Sequence, residues 1–137
     1  MNAIPIRCML PALLAAVLLA RTYALEPAVE QAFERYMAIP SAVLPVLQKV
    51  KDKASADTAA AELKQAMATI YDARNALQDI KQLSESDAAE VKARYEKPMR
   101  EEWGRLYREI FRLQQVKCYE SQEFLNLFSY MCLMLEK

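Results

Sequence analysis

Apolar residues recur at three- and four-residue steps through most of the chain after residue 25, which is the spacing of helices that each bury one face. No stretch alternates apolar and polar residues long enough to indicate a strand, and neither Asn-Gly nor Asp-Gly, the pairs that favour hairpin turns, occurs. Ala, Leu, Glu, Lys, Gln, Arg and Met, all good helix formers, dominate this region. The pattern therefore predicts an all-α protein with four helical segments.

The first predicted segment covers about residues 27–53 and is divided by Pro40. Because proline lacks an N–H and clashes with the preceding turn, we expect the helix to break there. Ser41 can cap a restart, which places Pro45 near the first turn of the second half. The apolar positions on either side of the break are Val29, Phe33, Tyr36, Met37, Val43, Leu44, Leu47 and Val50.

The second predicted segment begins at Ser55, a residue type that caps helix N-termini, with Asp57 favourable in the first turn. An amphipathic helix of about 28 residues follows, which is about 42 Å long. Its apolar positions are Leu63, Met67, Ile70, Leu77 and Ile80.

The third predicted segment begins after Ser84 or Ser86 and runs to about Val116. Ser84, followed three residues later by Asp87, matches a capping box with the shorter acid. Pro98 lies inside the segment, and we expect a kink there because the apolar stripe continues in phase on both sides. That stripe consists of Val91, Tyr95, Met99, Trp103, Leu106, Ile110 and Leu113. A lone tryptophan on such a stripe is expected to belong to the core.

The fourth predicted segment covers residues 122–135 and carries no charge from residue 124 to residue 135. Its apolar face occupies roughly half of the helix, but the uncharged stretch is too short to span a membrane. Short connections at 53–56 and 83–86 place the second helix antiparallel to its neighbours. We therefore expect an antiparallel bundle of three main helices, with the C-terminal helix lying across or alongside them.

The first 24 residues have the order of a secretory signal peptide. Arg7 precedes a 13-residue run without charge from residue 8 to residue 20, and Thr22-Tyr23-Ala24 offers small residues where a signal peptidase would cut. Cys8 begins the apolar run, whereas a lipoprotein cysteine ends it, so lipid attachment is not expected. The prediction is a signal peptide over residues 1–24 and a single helical domain over 25–137, exported to the periplasm or the extracellular space. The alternative for residues 1–24 is an uncleaved N-terminal anchor or a buried helix.

Composition excludes several classes of function. The chain has no histidine, which excludes Ser-His-Asp and Cys-His catalysis, Cys₂His₂ zinc fingers and histidine-ligated haem. Gly104 is the single glycine, so there is no glycine-rich phosphate loop. The 18 basic and 18 acidic residues balance, and a neutral chain is not expected to bind nucleic acid. No nucleophile–base pair can be placed, so we do not expect an enzyme or a resident cofactor.

Charged residues on the third segment form a stripe that could hold an anionic polymer. The cations of the stripe are Arg94, Lys97, Arg105, Arg108 and Arg112. Glu90 and Glu101 lie in the same stripe, each four residues before an arginine, which is the favourable order for helix ion pairs. We therefore interpret the stripe as a solvated, ion-paired helix face. A di-iron centre is not expected either, because such bundles need histidine.

Sulfur-bearing residues suggest a weaker candidate for a metal site. Met131, Cys132 and Met134 supply the thioether and thiolate groups that suit Cu(I), but only the two methionines share a helix face. Cys118 and Cys132 are 14 residues apart, too far for a disulfide along a continuous helix. No bond between them is expected unless residues 118–124 form a wide loop, which leaves buried free thiols or a link between chains.

The C-terminal helix is also a candidate binding element, because an uncharged helix with a broad apolar face is either buried in the core or held by a partner. The candidate contact residues are Phe124, Leu127, Phe128, Met131 and Leu135. Two hypotheses follow. The first is a non-catalytic interaction or structural module of the cell envelope, which binds a protein partner or self-associates. The alternative is a carrier of a small apolar ligand or Cu(I).

Two short motifs carry a resemblance to known proteins. The first is Val50-Lys51-Asp52-Lys53-Ala54-Ser55-Ala56, and the second is Ala93-Arg94-Tyr95-Glu96-Lys97-Pro98. The pattern resembles small, secreted, helical bacterial proteins of unknown function, in which such a turn joins two helices and such a tyrosine–proline segment kinks the next. The resemblance covers about residues 44–113. It implies a bacterial, exported helical protein, and it implies neither an activity nor functional residues.

Overall fold

The computed structural model describes residues 24–136, which form four α-helices and no strand. The predicted signal peptide over residues 1–24 lies outside the described residues, apart from Ala24. In chain order the elements are α1 (Pro27–Lys49), α2 (Lys53–Gln78), α3 (Glu85–Gln115), a short turn of 3₁₀ type (Lys117–Glu120) and α4 (Gln122–Glu136). The predicted all-α bundle with a C-terminal helix is confirmed.

The helices alternate in direction along the chain. α1 packs against both α2 and α3, and α2 packs against α4 on its other side. α1 and α3 run parallel, because Glu30 meets Arg94 near their N-termini and Tyr36 meets Trp103 farther along. The lateral order is therefore α3, α1, α2, α4, with α1 and α2 in the middle.

One continuous core joins the four helices. Its fully buried large side chains come from every helix and from the turn after α3, which shows that α4 closes the core. They are Phe124, Ile39, Leu47, Leu63, Ile70, Leu106, Leu113, Met131, Val43, Val50, Pro40 and Cys118. Trp103 is 5% exposed, which confirms the prediction that it belongs to this core.

The expected break at Pro40 is wrong, because α1 continues from Pro27 to Lys49 with Pro40 and Pro45 inside it. Proline fits helical φ and removes only one backbone hydrogen bond. Apolar positions before and after Pro40 are buried in the same continuous helix, so tertiary packing holds the two halves in phase. Pro27 sits at the start of the helix, where a missing N–H has no consequence.

The start of α2 lies earlier than the prediction placed it. The N-cap is Asp52, and Ser55 is the third helical residue, not the cap. The Asp52 carboxylate accepts a hydrogen bond from the Ser55 backbone N–H at 2.8 Å, while Ser55 Oγ accepts from the Asp52 N–H at 3.0 Å. The two residues therefore form a reciprocal capping box, in which the shorter acid and the serine have exchanged their usual places.

The predicted N-terminus of α3 is confirmed. Ser84 is the N-cap, and its Oγ accepts from the Asp87 N–H at 3.0 Å and donates to the Asp87 carboxylate at 2.8 Å. Asp87 is buried, and it also accepts a weak hydrogen bond from the Glu26 N–H at 3.4 Å, which ties the start of α3 to the start of α1. α3 continues through Pro98 to Gln115.

The reversal between α3 and α4 uses a left-handed turn. Lys117, Cys118, Tyr119 and Glu120 have φ of 48°, 50°, 53° and 60°, a region that L-residues seldom occupy. Ser121 then begins the approach to α4, and its hydroxyl donates to the Asp57 carboxylate of α2 at 2.5 Å. The turn therefore directs α4 onto α2 and away from α3.

Candidate functional site

The candidate contact residues on α4 lie mainly inside the chain's own core. Phe124, Phe128 and Met131 are buried, and Leu127 and Leu135 are half-buried against the same core. Phe124 and Phe128 stack on each other with ring centroids 6.1 Å apart. In this arrangement, these side chains hold α4 on the bundle and do not form a free surface.

A pair of polar contacts fixes α4 along α2. Ser121 joins Asp57 at the start of the helix, and the Tyr130 and Tyr71 hydroxyls share a hydrogen bond of 2.5 Å farther along. That second contact raises the pKa of Tyr71, and both phenols are exposed. α4 and α2 therefore run side by side in the same direction.

Between α3 and α4 the surface is open, because α4 packs on α2 and has little contact with α3. Two adjoining depressions of about 320 and 470 Å³ lie there, and Gln114 and Cys132 line both of them. We call this feature the α3/α4 groove. Its rim carries the most exposed large apolar side chains of the described residues: Tyr107 at 52%, Phe111 at 61% and Leu133 at 55%.

The three sulfur groups of the proposed Cu(I) site do not meet at one place. Met131 is buried in the core, Cys132 lines the α3/α4 groove, and Met134 lines a different cavity at the end of the bundle. Within residues 24–136, no group of three or more His, Cys, Asp or Glu side chains is placed to hold a metal ion.

Cys118 and Cys132 line the same depression, and they are not bonded to each other or to any other cysteine of the described chain. Burial raises the pKa of the Cys118 thiol to about 11, and the nearby Cys132 adds to the shift. Burial and Glu136 likewise raise the pKa of Cys132 to about 11. Both thiols are therefore almost fully protonated at neutral pH, which disfavours metal binding and nucleophilic chemistry.

A second opening, the bundle-end cavity, has a volume of about 350 Å³ and is lined by residues of all four helices. Its apolar wall consists of Ile39, Ile70, Leu77, Met134 and Leu135. Its polar or aromatic lining consists of Tyr36, Arg74, Gln78 and Trp103. A mostly apolar cavity with a few polar groups is the usual form of a small-molecule site.

Trp103 lies in this cavity wall and also carries a buried polar group without a partner. The indole stacks on Tyr36 with centroids 4.6 Å apart, and Tyr107 lies 5.8 Å away on its own helix. Its Nε1–H is buried and has no acceptor anywhere in the described chain. A buried donor without a partner costs about 1–3 kcal/mol. Burial, followed by the effect of Tyr107, raises the pKa of Tyr36, so that phenol also stays protonated.

Most arginines of the basic stripe on α3 are paired with acids of the same helix. Arg94 binds Glu90 at 2.7 Å as predicted, whereas Arg105 pairs with Glu102 at 3.4 Å and not with the expected Glu101. These contacts support the interpretation of an ion-paired helix face. A further stripe residue, the half-buried Arg112, donates to the Leu47 carbonyl of α1 at 3.0 Å and so acts within the fold.

None of the helices in the described part of the chain is long and apolar enough to cross a membrane. No family model matches the sequence, and neither the curated proteins nor the solved structures give a significant match.

Two features of that surface were missed from the sequence, although each has a signal there. Tyr107 and Phe111 lie four residues apart and off the apolar stripe of α3, which marks large apolar residues on a face expected to be polar. Arg74 follows Ile70 by four residues and therefore falls within the apolar stripe of α2. A charged side chain within an apolar stripe indicates a buried or functional position, because charged residues are seldom buried without a partner.

Proposed function

We propose that this chain is a non-catalytic protein-interaction module that self-associates through the α3/α4 groove. The observation that carries the proposal is the grouping of Tyr107, Phe111 and Leu133, all more than half exposed, along an open groove. Exposed apolar residues that cluster beside a depression are typical of contact surfaces between proteins. This surface uses the outer side of α4, since its inner side belongs to the core.

The shape of the groove favours a second copy of the same chain as its occupant. Exposed side chains stand beside two depressions, so a two-fold rotation can seat the ridge of one copy in the groove of the other. Glu136 lines one depression and Lys117 lines the other. A two-fold axis near Gln114 then places Lys117 next to Glu136 of the partner subunit, and the opposite charges match on both sides.

Sedimentation velocity of the chain from residue 25 over a wide concentration range tests self-association. The wild type is expected to form dimers, and the double substitution Phe111→Ser with Leu133→Ser is expected to leave a monomer of unchanged helicity. Tyr71→Ser is the control, because it removes an exposed aromatic ring that lies outside the groove. A wild type that stays monomeric at every concentration would contradict the proposal.

A charge exchange tests the orientation of the two copies. Lys117→Glu and Glu136→Lys should each weaken the dimer, because each creates a like-charge contact in the proposed pairing. Combining both substitutions in one chain should restore dimerisation, since the pair is rebuilt with the signs reversed. Equal weakening in the double variant would rule out this arrangement.

We also propose that the protein acts after export, in the periplasm or outside the cell. The order of charge, apolar run and small residues over positions 1–24 supports this. Mass spectrometry of the protein from the exported fraction should give the mass of residues 25–137. Recovery of the intact 137-residue chain from the cytosolic fraction alone would contradict export.

A further inference from the structure

The bundle-end cavity combines an apolar lining with a cation that has no acidic partner among the described residues. Trp103 lines the cavity, while its Nε1–H is sealed inside the packed wall and is not open to a ligand. Arg74 lines the same cavity, and it makes no ion pair within the described chain, unlike most arginines of α3. Arg74 comes from α2 and the Trp103 ring from α3, so the fold brings the cation and the aromatic ring to one pocket.

The chemistry of this lining selects a class of ligand. The guanidinium group of Arg74 only donates hydrogen bonds, and its planar fork suits the two oxygens of a carboxylate. The apolar part of the lining is formed by Ile39, Ile70 and Leu77 of the inner helices, with Met134 and Leu135 of α4, and it offers only carbon and sulfur. A matching ligand therefore has one anionic end and an apolar body.

We propose that the bundle-end cavity binds a small carboxylate with an apolar body, such as a medium-chain fatty acid. The carboxylate pairs with Arg74, while the chain lies against the apolar wall. The volume of about 350 Å³ holds about a dozen non-hydrogen atoms, if each takes the ~30 Å³ of a liquid water molecule. That size fits octanoate and excludes a diacyl lipid.

Trp103 provides the measurement, because it is the single tryptophan of the chain and lies in the cavity wall. Octanoate is titrated into the mature chain, and the tryptophan fluorescence is followed alongside calorimetry. We expect a saturable change in fluorescence with one site per chain. The neutral analogue 1-octanol, which lacks the charge but keeps the apolar body, is expected to bind at least about tenfold more weakly.

Variants locate the site. Arg74→Gln should weaken octanoate binding about tenfold, whereas Arg105→Gln, the same change on an exposed arginine outside the cavity, should leave it unchanged. Leu77→Phe should also weaken binding by filling part of the half-buried wall.

Several results would overturn the assignment. They are the lack of a saturable signal, equal affinities of wild type and Arg74→Gln, and equal affinities for octanoate and 1-octanol. The inference is independent of self-association, because the groove variant Phe111→Ser with Leu133→Ser keeps the bundle-end cavity. That variant should bind octanoate like the wild type. Loss of binding in that variant would show that octanoate does not bind in the bundle-end cavity.

Discussion

The left-handed turn between α3 and α4 is the most unfavourable backbone feature of the described chain. Lys117, Cys118, Tyr119 and Glu120 all have positive φ, and each costs about 1–2 kcal/mol relative to a right-handed conformation. The turn persists because Cys118 and Ser121 are fully buried and Ser121 is bonded to α2. Strain at these residues is therefore offset by the packing of α4.

Glycine at the first residue of this turn should stabilise the protein. Lys117→Gly removes the Cβ clash at φ 48° and should raise the free energy of unfolding by about 0.5–1 kcal/mol, less the entropy that glycine adds to the unfolded chain. Thermal denaturation under conditions that keep the chain monomeric, where the proposed contact of Lys117 with a second copy plays no part, should show a rise of about 2–5 °C. Lys64→Gly in the interior of α2 is the control, and it should lower stability by about 1 kcal/mol. A similar loss in both variants would contradict the left-handed turn.

The capping box of α2 should make stability depend on acid pH. Hydrogen bonds from Ser55 lower the pKa of Asp52 below its ordinary value of 3.8 in the folded chain. The carboxylate therefore stabilises the fold above about pH 4, and this contribution disappears as the pH falls through the lowered pKa. Asp52→Ala should lower the melting temperature at pH 7, and the difference from wild type should shrink at lower pH.

Two controls accompany that measurement. Asp72→Ala removes an exposed aspartate from the middle of the same helix and accounts for the loss of one charge. Ser55→Ala removes the hydroxyl that donates to Asp52 but keeps the backbone N–H that lowers its pKa most, so it should reduce the pH dependence only in part. A gap between wild type and Asp52→Ala that stays constant down to acid pH would disprove the role of the charged cap.

At the scale of the element, α1 shows how packing overrides local preference. Pro40 and Pro45 each remove an N–H, so the carbonyls of Tyr36 and Ser41 lose their usual helical donors. The helix survives because its apolar face is buried against α2 on one side and α3 on the other. The sequence shows the hydrogen bond that each proline removes, but it does not show the burial of the α1 apolar face that offsets this loss. For that reason the sequence predicted a break.

Replacing the exposed proline in the interior of α1 should strengthen the helix. Pro45→Ala restores a backbone hydrogen bond to the Ser41 carbonyl and should raise the free energy of unfolding by about 1–2 kcal/mol. Pro27→Ala is a matched control at the first helical position, where proline is well tolerated, so it should give no gain. Urea denaturation distinguishes the two, and equal effects would contradict the role assigned to Pro45.

Helix boundaries were predictable where a side chain bonds its own neighbours. Ser84 and Asp87 were located correctly because the capping box is a local pattern. The N-cap Asp52 was not predicted, because the capping box of α2 has its acid at the N-cap and its serine at the third helical position. The left-handed turn had no glycine to mark it, and its geometry depends on the distant contact between Ser121 and Asp57.

For the whole molecule, the lateral order α3, α1, α2, α4 determines where the surface is open. The two outer helices each pack on an inner helix and have little contact with one another. The α3/α4 groove and the bundle-end cavity are both consequences of this order. The apolar stripes predicted which residues of each helix face inward. They could not predict which helices are neighbours, so neither site followed from the sequence.

Two phenylalanines of different exposure test this arrangement. Phe124→Ala empties a fully buried position between α4 and the core and should cost about 3–5 kcal/mol. Phe111→Ala removes a ring that is 61% exposed and should change stability by less than about 0.5 kcal/mol. Chemical denaturation of the two variants under conditions that keep the chain monomeric gives the comparison. Equal losses of stability would contradict the proposed core.

The position of α4 also imposes an order on folding during synthesis. α4 covers α2, yet roughly sixty residues separate the end of α2 from the end of α4. At a translation rate of about 5–20 residues per second, the ribosome needs about 3–12 s to add them. During that interval the outer apolar face of α2 has no covering helix, and this is the period in which a nascent chain is open to chaperones.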